Sequence, residues 1–70
     1  MNAEAIREWI DRRPFQPFAV RLAGGEAHQV RHPETVILMR TTLVIAYPET
    51  ERVAVCSLPH ITSIETPQPA

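Results

Sequence analysis

Two periodicities divide the chain. Near the start, Ile6, Trp9 and Ile10 recur at i, i+3, i+4, while Glu4, Arg7, Glu8 and Asp11 take the other side. That spacing predicts an amphipathic helix over 3–12. Asn2 stands where an N-cap belongs, and Glu4 and Glu8 sit near the positive end of the helix dipole. Glu8 and Arg12, four apart, are expected to pair across one turn. Pro14 stops the helix by forcing Arg13 out of the α region. So short a helix is marginal alone, so its Trp9 stripe must dock on the rest of the chain.

From Phe18 onward the period becomes two. Phe18, Val20 and Leu22 alternate with Ala19, Arg21 and Ala23, which predicts a half-buried strand. Ahead of it, Pro14-Phe15-Gln16-Pro17-Phe18 reads as a stiff extended connector. Its threefold repeat places Phe15 and Phe18 on one side, clamping the helix to the strands. Gly24-Gly25 marks a hairpin. A two-residue loop would set Phe18 opposite Arg31, mixing faces. A three-residue loop, with Gly25 left-handed, sets Val20 opposite His28 and Phe18 opposite Val30, and this register is expected.

The apolar pattern then thickens. Val36-Ile37-Leu38-Met39 and Leu43-Val44-Ile45-Ala46-Tyr47 flank the turn Arg40-Thr41-Thr42, and they do not alternate. Strands apolar on both faces exceed what a small sheet with one solvated face requires. A polar loop, Pro48 to Glu51, leads to a strand over 52–57. Leu58-Pro59-His60 reads as a tight turn before a last short strand holding Ile61 and Ile64. The strands number five or six, depending on whether Pro33 bends or breaks the second. The expected fold is therefore mostly β with one N-terminal helix: a small SH3-like or Sm-like antiparallel barrel. A single domain spans 1–66, with the helix at 3–12, the barrel at 18–65 and a frayed tail at 67–70.

Composition narrows the chemistry. Seventy residues are too few for a multi-domain enzyme, and a formal net charge of −1 advertises no strong basic field. No apolar run approaches the ~20 residues of a bilayer span, and the N-terminus lacks a secretory pattern, so a soluble cytoplasmic protein is expected. One cysteine allows no internal disulfide. Alternating with Ala54 and Leu58, Cys56 reads as a small buried hydrophobe.

His28, His32, His60 and Cys56 are the only soft ligands. His28 and His32 would lie ~13 Å apart on an extended strand, too far to chelate one metal. No metal site, cofactor or catalytic residue is expected. Gly24-Gly25 precedes no helix and is not a phosphate cradle. For nucleic acid the candidates are Arg21, Arg31 and Arg40. Arg21 and Arg31 point outward from adjacent strands in the favoured register, but exposed aromatics for base stacking are lacking.

The segments Arg13-Pro14-Phe15-Gln16-Pro17-Phe18 and Val30-Arg31-His32-Pro33-Glu34 carry a resemblance. Together with Thr42-Leu43-Val44 and the closing Leu58 to Glu65, they resemble a family of small bacterial proteins with R-P-F-x-P-F and V-R-H-P-E segments, over nearly the whole chain. That resemblance implies no activity. More loosely, a helix followed by a small barrel is similar to the Sm and Hfq proteins, whose rings bind RNA. Their Asp- and Asn-bearing loop and their Lys-His pair have no counterpart here.

A lone core in so short a chain supplies only ~3–5 kcal/mol, and oligomerisation is the usual remedy where disulfides and metals are missing. The helix can cover one side of a sheet only. A second copy is therefore expected to cover the other, through an interface at Val36, Leu38, Leu43, Ile45 and Tyr47. The function expected from the sequence is a non-catalytic, homo-oligomeric interaction or adaptor module, with an Sm-like RNA binder as the alternative.

Overall fold

A computed structural model describes residues 1–66; the tail expected at 67–70 lies outside the described residues. Helix α1 (Ala3–Ile10) opens on Asn2, whose Oδ1 accepts the Ala5 N–H at 2.9 Å. It stops two residues short of the expected end. Asp11 forms the C-cap, and the Arg13 guanidinium donates to the Ile10 and Arg12 carbonyls. The expected Glu8–Arg12 pair does not form, because Arg12 leaves the helix and lies 3.9 Å from the centroid of the Trp9 ring. Arg7 and Asp11 make the i, i+4 contact instead, at 4.0 Å and well exposed.

The connector delivers its aromatics as the threefold repeat implies. Phe18 is buried, with the Trp9 and Phe15 rings tilted against it at centroid distances of 5.8 and 5.9 Å. This cluster ties the helix to strand β1 (Phe18–Leu22). Strand β2 (Ala27–Val30) pairs with β1 in the expected register, Phe18 opposite Val30 and Val20 opposite His28. Gly25 has a φ of +94°, a conformation an L side chain strains to adopt, and its N–H returns to the Leu22 carbonyl.

Pro33 breaks the second strand rather than bending it. One turn of 3₁₀ helix, Pro33–Thr35, separates β2 from β3 (Val36–Leu38). Strands β4 (Thr42–Tyr47) and β5 (Arg52–Ser57) follow, then a second 3₁₀ turn, Leu58–His60, and β6 (Ile61–Glu65). The described residues thus hold six strands. They form two antiparallel sheets of three, ordered β2-β1-β6 and β3-β4-β5. No ladder joins the two among the described residues, so a continuous closed barrel is not what the pairing gives.

The core lies between these sheets and under the helix. It holds Ile6 and Ile10 of α1, Phe18, Val20 and Val30 of the first sheet, Leu43, Ile45 and Cys56 of the second, and Leu58 and Ile61 beside the second 3₁₀ turn. Val36, Leu38, Tyr47 and Ala54 are partly buried against it. Every described buried side-chain polar atom has a hydrogen-bond partner. Among the described residues no helix is long and apolar enough to cross a membrane.

Candidate functional site

Period-two geometry sends alternate residues of β3, β4 and β5 to opposite faces. Leu43, Ile45 and Cys56 point inward, and Leu43 and Ile45 have 0% of their surface exposed. This corrects the interface expected from the sequence. Leu43 and Ile45 are consumed by the chain's own core, and Val36, Leu38 and Tyr47 pack at its margin. None of the five belongs to the face turned away from the core.

That outward face belongs to the other parity. The register sets Ile37 opposite Val44 and Val44 opposite Val55, an aliphatic row across all three strands. Ala46 and Val53 pair on one flank of the row, and Thr42 and Ser57 on the other. Met39, just past β3, bonds through its N–H to the Thr42 carbonyl. Ile37, Val53 and Val55 are 63, 63 and 68% exposed, and Met39 is 47% exposed. No charged residue occupies the outward positions of these strands, where a solvated sheet face ordinarily carries them. Met39 borders the groove beside Ala3, Glu4 and Arg7 of the helix, so the patch is Ile37, Val53 and Val55, on the order of 300 Å² of apolar surface, within the range of patches that mark contact sites.

The arginines do not gather into one surface. Arg21 is held by Glu65 through two bonds, Nε to Oε2 at 2.7 Å and Nη2 to Oε1 at 3.2 Å. Arg21 and Arg31 line one shallow groove on the first sheet. Arg40 lines a different one, beside Ala3, Glu4 and Arg7 of the helix. Arg31 makes no ion pair among the described residues. It also borders a groove of about 260 Å³ between β2 and the end of β4, with Gln29, His32, Thr35, Tyr47 and Glu49.

The Arg21–Glu65 pair joins β1 to β6 at the sheet surface. Hydrogen bonding to Arg21 holds the Glu65 carboxyl below its ordinary value of 4.5, and the same bond raises the Arg21 guanidinium. A carboxylate depressed by folding adds stability above its unfolded pKa and loses it as pH falls through the folded value. Glu65→Gln should therefore flatten the acid limb. Between about pH 5 and about pH 3, the urea midpoint of the wild type should fall further than that of the variant.

Tyr47 bridges the two sheets. Its hydroxyl lies 2.8 Å from Nδ1 of His28, whose Nε2 is 3.8 Å from Glu26. Burial pushes the Tyr47 phenol above its ordinary value, with the Cys56 thiol adding to the effect, while a backbone hydrogen bond at Gln29 opposes it. Burial likewise raises the Cys56 thiol, with Glu26 contributing, which disfavours the nucleophilic thiolate. The His60 carbonyl accepts the Ala23 N–H, a structural role in its turn. Among the described residues no three His, Cys, Asp or Glu side chains converge as metal ligands would. No family model, curated protein or solved structure matches the chain.

The outward face escaped the sequence reading because both parities of 36–47 are apolar. Bulk marks the inward side in β4 alone, where Leu43 and Ile45 outweigh Val44 and Ala46; in β5 the bulkier Val53 and Val55 face outward and Ala54 and Cys56 face the core.

Proposed function

We propose that the chain is a non-catalytic protein-interaction module, working through the outer face of β3, β4 and β5. One observation carries this reading: an apolar row, Ile37-Val44-Val55, crosses a solvent-facing sheet with no charge among its outward neighbours. A face of that kind is costly to leave in water and gains by being covered. The element order, a helix and then six short strands with a 3₁₀ turn before the last, supports an SH3-like or Sm-like architecture with the two sheets as its halves.

The comparison that tests it uses the wild-type chain and Val55→Asp as immobilised baits in extract of the native host. The expected result is one or more proteins retained by the wild type and lost from the variant. Identical retention by both, or none by either, removes the reading.

RNA binding is the second reading, favoured by Arg31, which has no ion-pair partner among the described residues and stands beside two grooves. It requires a salt-dependent shift with oligo-U or oligo-A that Arg31→Ala weakens. The interaction reading expects no shift at low salt. Arg21, occupied by Glu65, contributes little free positive charge to such a surface.

A further inference from the structure

We infer that the occupant of the outer face is a second copy of this chain, seated face to face so that the two β3-β4-β5 sheets form a sandwich about a two-fold axis beside Val44. This rests on the interaction reading above and names its partner. Three observations carry it.

The first is chemical. The outward positions hold aliphatic and hydroxyl side chains and no charge. A partner rich in Asp, Glu, Lys or Arg would bury those charges without counter-ions on this face. An identical face brings none, so the surface is complementary to itself. With a formal net charge of −1, two copies also meet without appreciable long-range repulsion.

The second is symmetry. Val44 lies on the central strand, in the middle of the Ile37-Val44-Val55 row. A two-fold interface needs one patch that serves both partners, and a patch centred on one residue of a three-stranded sheet meets that need. Stacked sheets lie ~10 Å apart with interdigitating side chains, which suits Val and Ile without forcing a gap.

The third is area. A stable contact covers about a tenth of a small protein's surface on each side and clears ~1,000 Å² in total. The accessible surface of the described chain is 4956 Å². The outward residues of all three strands, Val53 and Ala46 with the row and its Thr42 and Ser57 flank, supply on the order of that share, an apolar centre with an uncharged rim. Contact area at this lower limit is that of a weak, reversible association rather than a permanent assembly.

Analytical ultracentrifugation of the full chain across the micromolar range tests the assignment. The expected mass rises from 7.9 kDa to twice that value with concentration. Val55→Asp, shown by far-UV circular dichroism to keep its fold, should weaken the association by at least about tenfold, and Gln29→Asp on the other sheet should not. Should Val55→Asp fail to fold, Val55→Thr serves, since it keeps the β-branched shape and removes apolar surface. Val44→Cys in a Cys56→Ala background should cross-link to its twin with a short bismaleimide, whereas Gln29→Cys should not.

A wild type that stays at 7.9 kDa up to hundreds of micromolar overturns the second copy as occupant. If the bait comparison still shows Val55-dependent capture, the interaction reading stands and only its partner changes. Dimers that form equally well with Val55→Asp, or that show no link through position 44, overturn the face-to-face arrangement.

Discussion

Phe18→Ala should unfold the protein. Phe18 is 2% exposed and meets Trp9 and Phe15 where the helix, the connector and β1 converge. Removing a buried Phe side chain costs about 3–5 kcal/mol, because the transfer energy is lost and the surroundings close only part of the cavity. A core of this size supplies about the same amount in total. The variant should therefore show little cooperative unfolding by circular dichroism at room temperature. Phe18→Leu, a smaller cut, should cost about 1–2 kcal/mol and leave a measurable transition at lower urea. Trp9 fluorescence reports both, since its ring packs on Phe18. A Phe18→Ala protein with the wild-type urea midpoint would show that the aromatic cluster is dispensable.

The second large effect contrasts two positions in neighbouring strands. Ile45→Asp should abolish folding, whereas Val55→Asp should leave the fold intact. Ile45 has no exposed surface and faces the core, so an ionised carboxylate there loses its hydration and finds no cationic partner. The expected penalty is several kcal/mol, above what the chain holds in reserve. Val55 is 68% exposed on the opposite face, where an aspartate stays hydrated and loses mainly β-propensity, within ~1 kcal/mol. Paired urea titrations with far-UV circular dichroism read the contrast. Equal loss of structure in both variants would mean that the two faces are not distinguished as the register implies.

The contrast also marks where the sequence was legible. Asn2 announced the helix start, because a cap needs one side chain at one position. The hairpin register followed from Gly25 and from keeping Val30 with Phe18, constraints local to a few residues. The helix end was misjudged because Arg12 and Arg13 have alternatives to helix. One lies against Trp9, and the other donates to the carbonyls at the helix end. In 36–47 the failure has a different origin. A shift of one residue exchanges the faces of a strand, and with both parities apolar the pattern alone does not choose. The choice is made by the fit of all elements in the assembled core. Closure is not legible for a related reason: strand order says which strands exist, while ladders between sheets depend on twist and register at their edges. For the surface arginines, alternation reports only that they point outward, not what holds them. The Arg21–Glu65 pair spans 44 residues and has no local signature.

That span has a kinetic meaning. Strands β3, β4 and β5 are consecutive and joined by short turns, so each ladder in their sheet closes only a small loop. In the other sheet, β1 must find β6 across the whole intervening meander, at the entropic cost of a long closure. The meander can zip on its own, and its greasy outer side is then already complete while the two chain ends still search for each other. On this order of closure, nascent molecules are expected to carry the sticky surface before the finished core, which makes crowding during synthesis the expected moment of greatest risk for this polypeptide.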